Sequence, residues 1–410
     1  LQRNEMSTDL IRRQRQLVGL ALGLALLLRV AIAWTVVGSN DARTWKEFAA
    51  HIREYGLIRT YQEISLFNHP PLMGWFSWFS LQLGDLLPGR FIDVFKTPML
   101  LSEVACAWLL WRIWRKDGEQ KAAQVVLLFA FNLISILISS YHGNTDCVFA
   151  TLCLASAYAL HREKWLWAGL ALGAAINVKI VPLMLIPVFA LMLPSPRALL
   201  RFGGGLALCA LPFVPVIWQI WPEFYRNVFA YNSMPFEWGV PLLIETTQGT
   251  MPRLATWLSE RYVPNARFVI LGFMLLIGGL QRWRRQLSVF EAGALALSVF
   301  LVLLPGFGVQ YLVWPLPLLF AAHPRTAVKY SSYGGVFALL VYYLFWTGQR
   351  PWFSEFTGPF PPPAPFVGVL AWVVLIGYCV SGFRKLLASN ELELPAEPLA
   401  TVPLVTATSR

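Results

Sequence analysis

Charge is what this chain has least of. Charged residues make up 13% of the sequence and hydrophobic residues 57%, whereas a soluble domain carries roughly 25% charge. Mean hydropathy is +0.55. Long uncharged runs recur along almost the whole length, which excludes a globular domain on a single anchor and predicts an all-α polytopic membrane protein. Cysteine is scarce too. Cys106, Cys147, Cys153, Cys209 and Cys379 lie in or beside apolar runs with no CxxC pair, so neither disulfides nor a thiolate metal site is expected. Repeats are missing: no period of about 20–50 residues and no duplicated half appears, unlike many transporter folds. No Ala-x-Ala exit follows the first apolar run, so no cleaved signal is expected, and Met6 reads as the start after LQRNE.

The charge that is present is biased. A net charge of +11 in a soluble protein would suggest nucleic acid, but here Lys and Arg sit in short loops between apolar runs and set orientation, so no nucleic-acid partner is expected. Arg12, Arg13 and Arg15 place residues 1–16 in the cytoplasm, ahead of a first span at 17–37. If Pro70–Leu87 spanned next, the following span would carry Arg112, Arg115 and Lys116 to the outside. The better solution keeps 38–92 outside, with Pro70–Leu87 as an aromatic-rich helix in the interface. Further spans are then expected at 93–114, 121–139, 144–160, 165–178, 180–193, 200–220, 266–281, 287–304, 309–322, 327–346 and 365–382. The chain thus reads as a transmembrane domain at 17–382 with about twelve spans, a second long exterior loop at 222–265, and both termini inside. The acidic, Pro-containing tail at 383–410 reads as a disordered cytoplasmic segment.

The first exterior loop is polar and patterned. Trp45, Phe48, Ala49 and Ile52 fall at i, i+3, i+4 and i+7, one apolar stripe, with Lys46, Glu47 and Arg53 opposite and Gly56 as a stop. This is a helix lying on a membrane, with Asp41 just ahead of it and Asn68-His69-Pro70-Pro71 just beyond.

Ionisable groups near a bilayer cost roughly 2.5–3.5 kcal/mol each, so their placement calls for a reason. Asp41, His69, His142, Asn144, Asp146, Lys179, Gln310 and Tyr311 all project to the exterior face, though they are spread over most of the chain. Each has a plainer reading. Asp41 is either a reacting group or a helix cap; His142 to Asp146 form either a site or a turn and cap; Lys179 either binds an anion or snorkels to the interface. Gln310 and Tyr311 also suit an interfacial anchor, and His69 a loop before the prolines of a helix start. Arg29 and Glu103, inside spans, are expected to pair with neighbours.

Taken together, these stretches resemble the GT-C class of membrane glycosyltransferases, and within it the PIG-M-type mannosyltransferases of GPI synthesis and bacterial polyprenyl-phosphate-mannose-dependent enzymes. The likeness runs from about 30 to 346 on short motifs: Asp41 opening the first exterior loop, Asn68-His69-Pro70-Pro71-Leu72, His142-Gly143-Asn144-Thr145-Asp146, Val178-Lys179-Ile180-Val181-Pro182, and Gln310-Tyr311-Leu312-Val313-Trp314. The resemblance implies a sugar, mannose or another hexose, moved from a polyprenyl-phosphate donor to a hydroxyl on a glycolipid, glycan or protein at the exterior face, with inversion. Asp41 would be the general base. His69, His142, Asn144, Asp146, Lys179, Gln310 and Tyr311 would contact donor or acceptor, with Arg226 or Arg253 as further phosphate contacts and Phe224–Trp238 as an aromatic cover. The mannosyltransferase pattern has two acids one position apart in the first loop. Here Ser39 takes the first place and Asp41 stands alone, so no divalent metal or other cofactor is expected. His142 also replaces an arginine. The lean chain suits a bacterial plasma membrane. Two rivals are a lipid-sugar flippase or transporter, and a polysaccharide polymerase or ligase using a diphosphate donor.

Overall fold

The computed structural model describes residues 2–87, 90–231, 238–345, 353–354 and 364–388. The proposed disordered tail beyond 388, most of the Pro-rich stretch before 364 and part of the aromatic cover fall outside those residues.

The chain is a helical bundle. A long α1 (Gln2–Thr35) leads to a two-residue strand β1 (Gly38–Ser39), then α2 (Asn40–Glu63) and α3 (Pro71–Leu86). The central helices are α4 (Phe91–Trp114), α5 (Glu119–Ala130), α6 (Leu133–Ile136), α7 (Asp146–His161), α8 (Trp165–Val178), α9 (Leu185–Met192), α10 (Pro196–Ala210) and α11 (Val214–Phe224). Two short helices, α12 (Val240–Thr247) and α13 (Pro252–Trp257), precede α14 (Val263–Arg284), α15 (Val289–Leu303), α16 (Leu316–Ala322) and α17 (Pro324–Leu340). Strand β2 (Phe353–Ser354) pairs in parallel with β1, Gly38 opposite Phe353, before α18 (Ala364–Leu387) closes the chain.

Five stretches are long and apolar enough to cross a membrane: Arg15–Thr35, Phe91–Asp117, Pro196–Phe229, Pro252–Arg284 and Ala364–Leu387. A bent pair, Glu119–Ala130 with Leu133–His142, passes the same test, and five shorter apolar helices accompany them. Their outward faces carry Leu20, Leu27, Trp167 and Trp218, large apolar side chains left uncovered as lipid contact requires. The five cysteines are free.

Three expectations need correction. Gly56 does not end the first-loop helix; at φ 83° it kinks α2, which resumes to Glu63. The second exterior segment is mostly helical, because Pro222–Phe229 continues α11 and Pro252 opens the run into α14. The stretch expected as one continuous span at 121–139 is bent: α5 and α6 meet at 47°. At that bend the buried Arg29 donates to the freed Ala130 carbonyl and to Ser135 Oγ (2.8 Å), and it lies 3.6 Å from Glu103. The two intramembrane charges therefore answer each other across α1 and α4, as expected from their cost alone.

Where α14 ends in Arg282 and Arg284, side chains finish the neighbouring helices. Arg282 donates to the Leu193 carbonyl just past α9 (2.6 Å), and Arg284 to the Leu387 and Ala388 carbonyls at the end of α18 (3.3 and 3.2 Å). Carbonyls left over at helix ends need such donors, and cations favour the negative end of the dipole.

Candidate active site

The site forms where the ends of α1, α6, α7 and α8 meet the start of α2. The run from α5 through α6 ends in a wide turn, Leu137–His142, closed by Gly143 in the left-handed region (φ 72°, ψ 36°), whose N–H and that of Asn144 both donate to Ile138 O. A fully buried lysine holds this turn. Lys96 Nζ, from α4, donates to the carbonyls of Val36 (2.8 Å), Ser140 (3.1 Å) and Tyr141 (3.2 Å). All three ammonium protons are used, so the charge is spent on fixing backbone. A Cβ at Gly143 would lie 2.6 Å from Lys96 Cε, and one at Gly38 would lie 2.3 Å from the Tyr141 carbonyl oxygen. Only glycine allows β1 to run this close to the turn, and that approach places Asp41 beside His142.

Asp41 does not cap α2 as its N-cap; Ser39 occupies that position, and Asp41 lies in the first turn. Its Oδ2 accepts from His142 Nε2 and from Asn144 Nδ2, both at 2.9 Å. No hydrogen bond engages Oδ1 among the described residues, and the side chain is 35% exposed. Burial pushes this carboxyl upward. The His142 charge and hydrogen bond, the Asn144 bond and the Lys179 charge outweigh it and hold Asp41 down at about 2. His142 is buried and its other nitrogen, Nδ1, is bonded to the Tyr342 hydroxyl. Both ring nitrogens are thereby committed, giving a Tyr342–His142–Asp41 line.

Asn144 resolves one ambiguity of the sequence by filling both roles. Its Oδ1 satisfies the first N–H of α7, that of Asp146 (3.0 Å), from one position ahead of the N-cap Thr145, and its amide nitrogen reaches Asp41.

Asp146, fully buried, accepts from Lys179 Nζ at both oxygens (2.7 and 2.9 Å) and from Trp314 Nε1 (2.7 Å). The ammonium also lies 4.6 Å from the centre of the Tyr311 ring and 5.1 Å from that of Trp314, which stack on each other at 4.0 Å. Lys179 is thus fixed on four sides with 19% of its side chain exposed, and two of its three protons are taken. Asp146 acts on Lys179 and Trp314 rather than facing the opening.

His69 stacks on Trp45, ring centres 4.2 Å apart, and its carbonyl accepts from the Tyr61 hydroxyl (2.5 Å). Burial first, then the Lys179 charge, push its imidazole down to about 3 against the opposing pull of Asp41. Its ring is neutral at any working pH, and no described residue engages its nitrogens. From the stretch that follows α11, Asn227 ties to the Tyr61 carbonyl (2.8 Å), and Tyr231 comes within hydrogen-bonding reach of Asn68 and within range of Tyr311, Lys179 and Asp41.

Two expected residues stand apart. Arg226 is exposed and touches Asn227 (3.4 Å), and Gln310 folds its amide over Gly308, beside Tyr311. Residues missed in the sequence are Lys96 and Tyr342; Trp45 was legible only as part of the apolar stripe, and Tyr231 falls within the expected aromatic cover. A lysine inside an apolar span was a legible signal for Lys96; Tyr342, in the run VYYLF, reads like any interfacial aromatic. Among the described residues no three His, Cys, Asp or Glu side chains converge as metal ligands would.

An acid, an imidazole and a lysine thus meet at one end of an apolar helical bundle. Residues 85–305 match glycosyltransferase family 87, and the chain belongs to that family of membrane glycosyltransferases. The matched segment contains His142, Asn144, Asp146, Lys179 and Arg226, while Asp41, His69, Gln310 and Tyr311 lie outside it. A comparison with curated proteins returns no match.

Proposed function

We propose that the protein moves a hexose such as mannose from a polyprenyl-phosphate donor to an acceptor hydroxyl, with inversion, on the exterior face of a bacterial plasma membrane. The acceptor is a glycolipid, glycan or protein, and the bundle has about twelve spans with both termini cytoplasmic. The observation that carries the reading is an ionised Asp41 whose Oδ1 no described residue engages, within electrostatic range of both the neutral His69 ring and the Lys179 charge.

In the transfer, the acceptor oxygen bonds to C1 as the bond from C1 to the phosphate oxygen breaks. Polyprenyl phosphate leaves with the electron pair, and the hydroxyl proton goes to Asp41 Oδ1. A carboxylate held at about 2 suffices for this, because a hydroxyl becomes strongly acidic once its oxygen is bonding to an electron-poor carbon. Lys179 offers its third N–H to the phosphate, where negative charge grows as the bond breaks. Asp146 positions that ammonium, and Tyr342 and His142 hold the base. His69 hydrogen-bonds the acceptor or the donor headgroup, and Tyr231 closes over the sugar. A flippase reading would need charges free to serve a path through the bilayer; the buried pair Arg29 and Glu103 is occupied by its own neighbours.

Purified protein offered a panel of polyprenyl-phosphate hexoses should release polyprenyl phosphate with one of them in an acceptor-dependent way. Asp41→Asn should lower kcat by about 10²–10⁴-fold in a variant that still unfolds cooperatively, at a somewhat lower temperature because the charge held by His142 and Asn144 is lost. Near-normal turnover by that variant would remove Asp41 as the base.

A further inference from the structure

At the end of the bundle away from Asp41, α15, α17 and α18 line a half-open cavity of about 350 Å³. Tyr311 and His323 bracket this separation, since one opens and the other follows the apolar stretch Val309–Ala322. The polar end of the cavity is built around Glu291, whose side chain is 14% exposed. Its Oε1 takes Lys385 Nζ (2.7 Å) and His323 Nε2 (3.2 Å), and its Oε2 takes the Ser288 N–H (2.8 Å). Lys329 adds a second lysine to the lining, with no ion pair among the described residues. Two lysines therefore face one carboxylate, which leaves a surplus positive charge before His323 is counted.

The walls are graded. On α18 the lining residues Val374, Gly377, Tyr378, Ser381, Gly382 and Lys385 follow helical spacing, running from apolar within the span to charged at its end. Thr326 adds a hydroxyl from α17. A cationic, hydroxyl-bearing mouth on an apolar slot matches a phosphodiester with hydrocarbon attached. It does not match a free anion, which has no use for the slot, or a neutral sugar, which has no use for the charge. We infer that this cavity binds the headgroup phosphate of an anionic glycerophospholipid from the leaflet opposite the Asp41 site. Lys329, Lys385 and the Thr326 and Ser381 hydroxyls take the phosphate, and the first acyl carbons lie along Gly377 and Val374.

The full-length protein in mixed micelles tests this by native mass spectrometry, with phosphatidylglycerol and phosphatidylcholine offered at equal concentration. The wild type should retain phosphatidylglycerol several-fold over phosphatidylcholine. Lys329→Gln removes a cation that no described ion pair uses and should reduce that retention about five-fold. Gly377→Leu should reduce it at least as much by filling the slot, and a Cβ there meets no atom within 4 Å, so the fold is preserved. Inorganic phosphate at millimolar concentration should not displace the lipid. Equal retention of the two lipids, unchanged retention in either variant, or displacement by inorganic phosphate would each overturn the assignment. None of these readouts depends on glycosyl transfer.

Discussion

Replacing Asn144 by aspartate changes one atom's chemistry at the point where the site is most tightly drawn. The new carboxylate keeps an oxygen for the Asp146 N–H, so the first N–H of α7 stays satisfied. Its other oxygen takes the place of an amide that donates to Asp41 at 2.9 Å. Two like charges at that separation repel by about 5–6 kcal/mol at an effective dielectric of about 20. Asp41 is 35% exposed, and His142 still bonds it, so about half of that repulsion survives screening, roughly 2–3 kcal/mol. The pair should then share one proton, as adjacent carboxylates do. In the wild type Asp41, held at about 2, stays ionised across the whole practical range: transfer depending on it persists above that value and is lost only as pH falls through it. In Asn144→Asp the acid limb of kcat/KM should rise by about 1.5–2 pH units, to roughly 4. The assay is donor turnover from pH 3 to 8, with an unfolding scan at each pH. An unchanged profile in a folded variant would mean that Asn144 does not face the working carboxylate, and the geometry of the site as argued would be refuted.

Two other perturbations separate the parts of the site. Lys179→Gln keeps an N–H for Asp146 but removes the cation, and should raise donor KM about tenfold; Lys46→Gln, on the exposed side of α2, should leave it unchanged, and equal effects would take Lys179 out of donor binding. Lys96→Met strips three buried carbonyls of their donor and should cost roughly 2–4 kcal/mol, read as a lower unfolding temperature in detergent together with a fall in kcat as the His142 turn loosens. An unchanged unfolding temperature would show that these carbonyls find other partners.

Much of the architecture could be read from residue order because membrane insertion is a local problem. Each apolar run must satisfy its own backbone, so the helices at 165–178 and 309–322 were legible from hydropathy alone. The candidate residues were legible for a related reason: Asp41, Asp146 and Lys179 are costly beside a bilayer and so stand out from 57% hydrophobic surroundings. Cost says that a residue has a partner, but not which one. The break between α5 and α6 looked like continuous span, since nothing in the apolar run shows that Arg29, about a hundred positions earlier, supplies the donor that lets the helix bend.

The sequence by itself determined a helical membrane protein, the presence of Asp41 at the head of a patterned amphipathic helix, and a scatter of polar residues whose cost sets them apart from their apolar surroundings. Only the tertiary structure decided their roles. It set Asp146 behind Lys179 instead of in the opening, gave Asn144 both the first N–H of α7 and a hydrogen bond to the carboxylate, brought in Tyr342 and Lys96, and left Arg226 outside. The physical reason is that a polar side chain's chemistry depends on which of its few hydrogen-bonding positions remain free, and those positions are filled by neighbours up to two hundred residues away, as His142 and Tyr342 are.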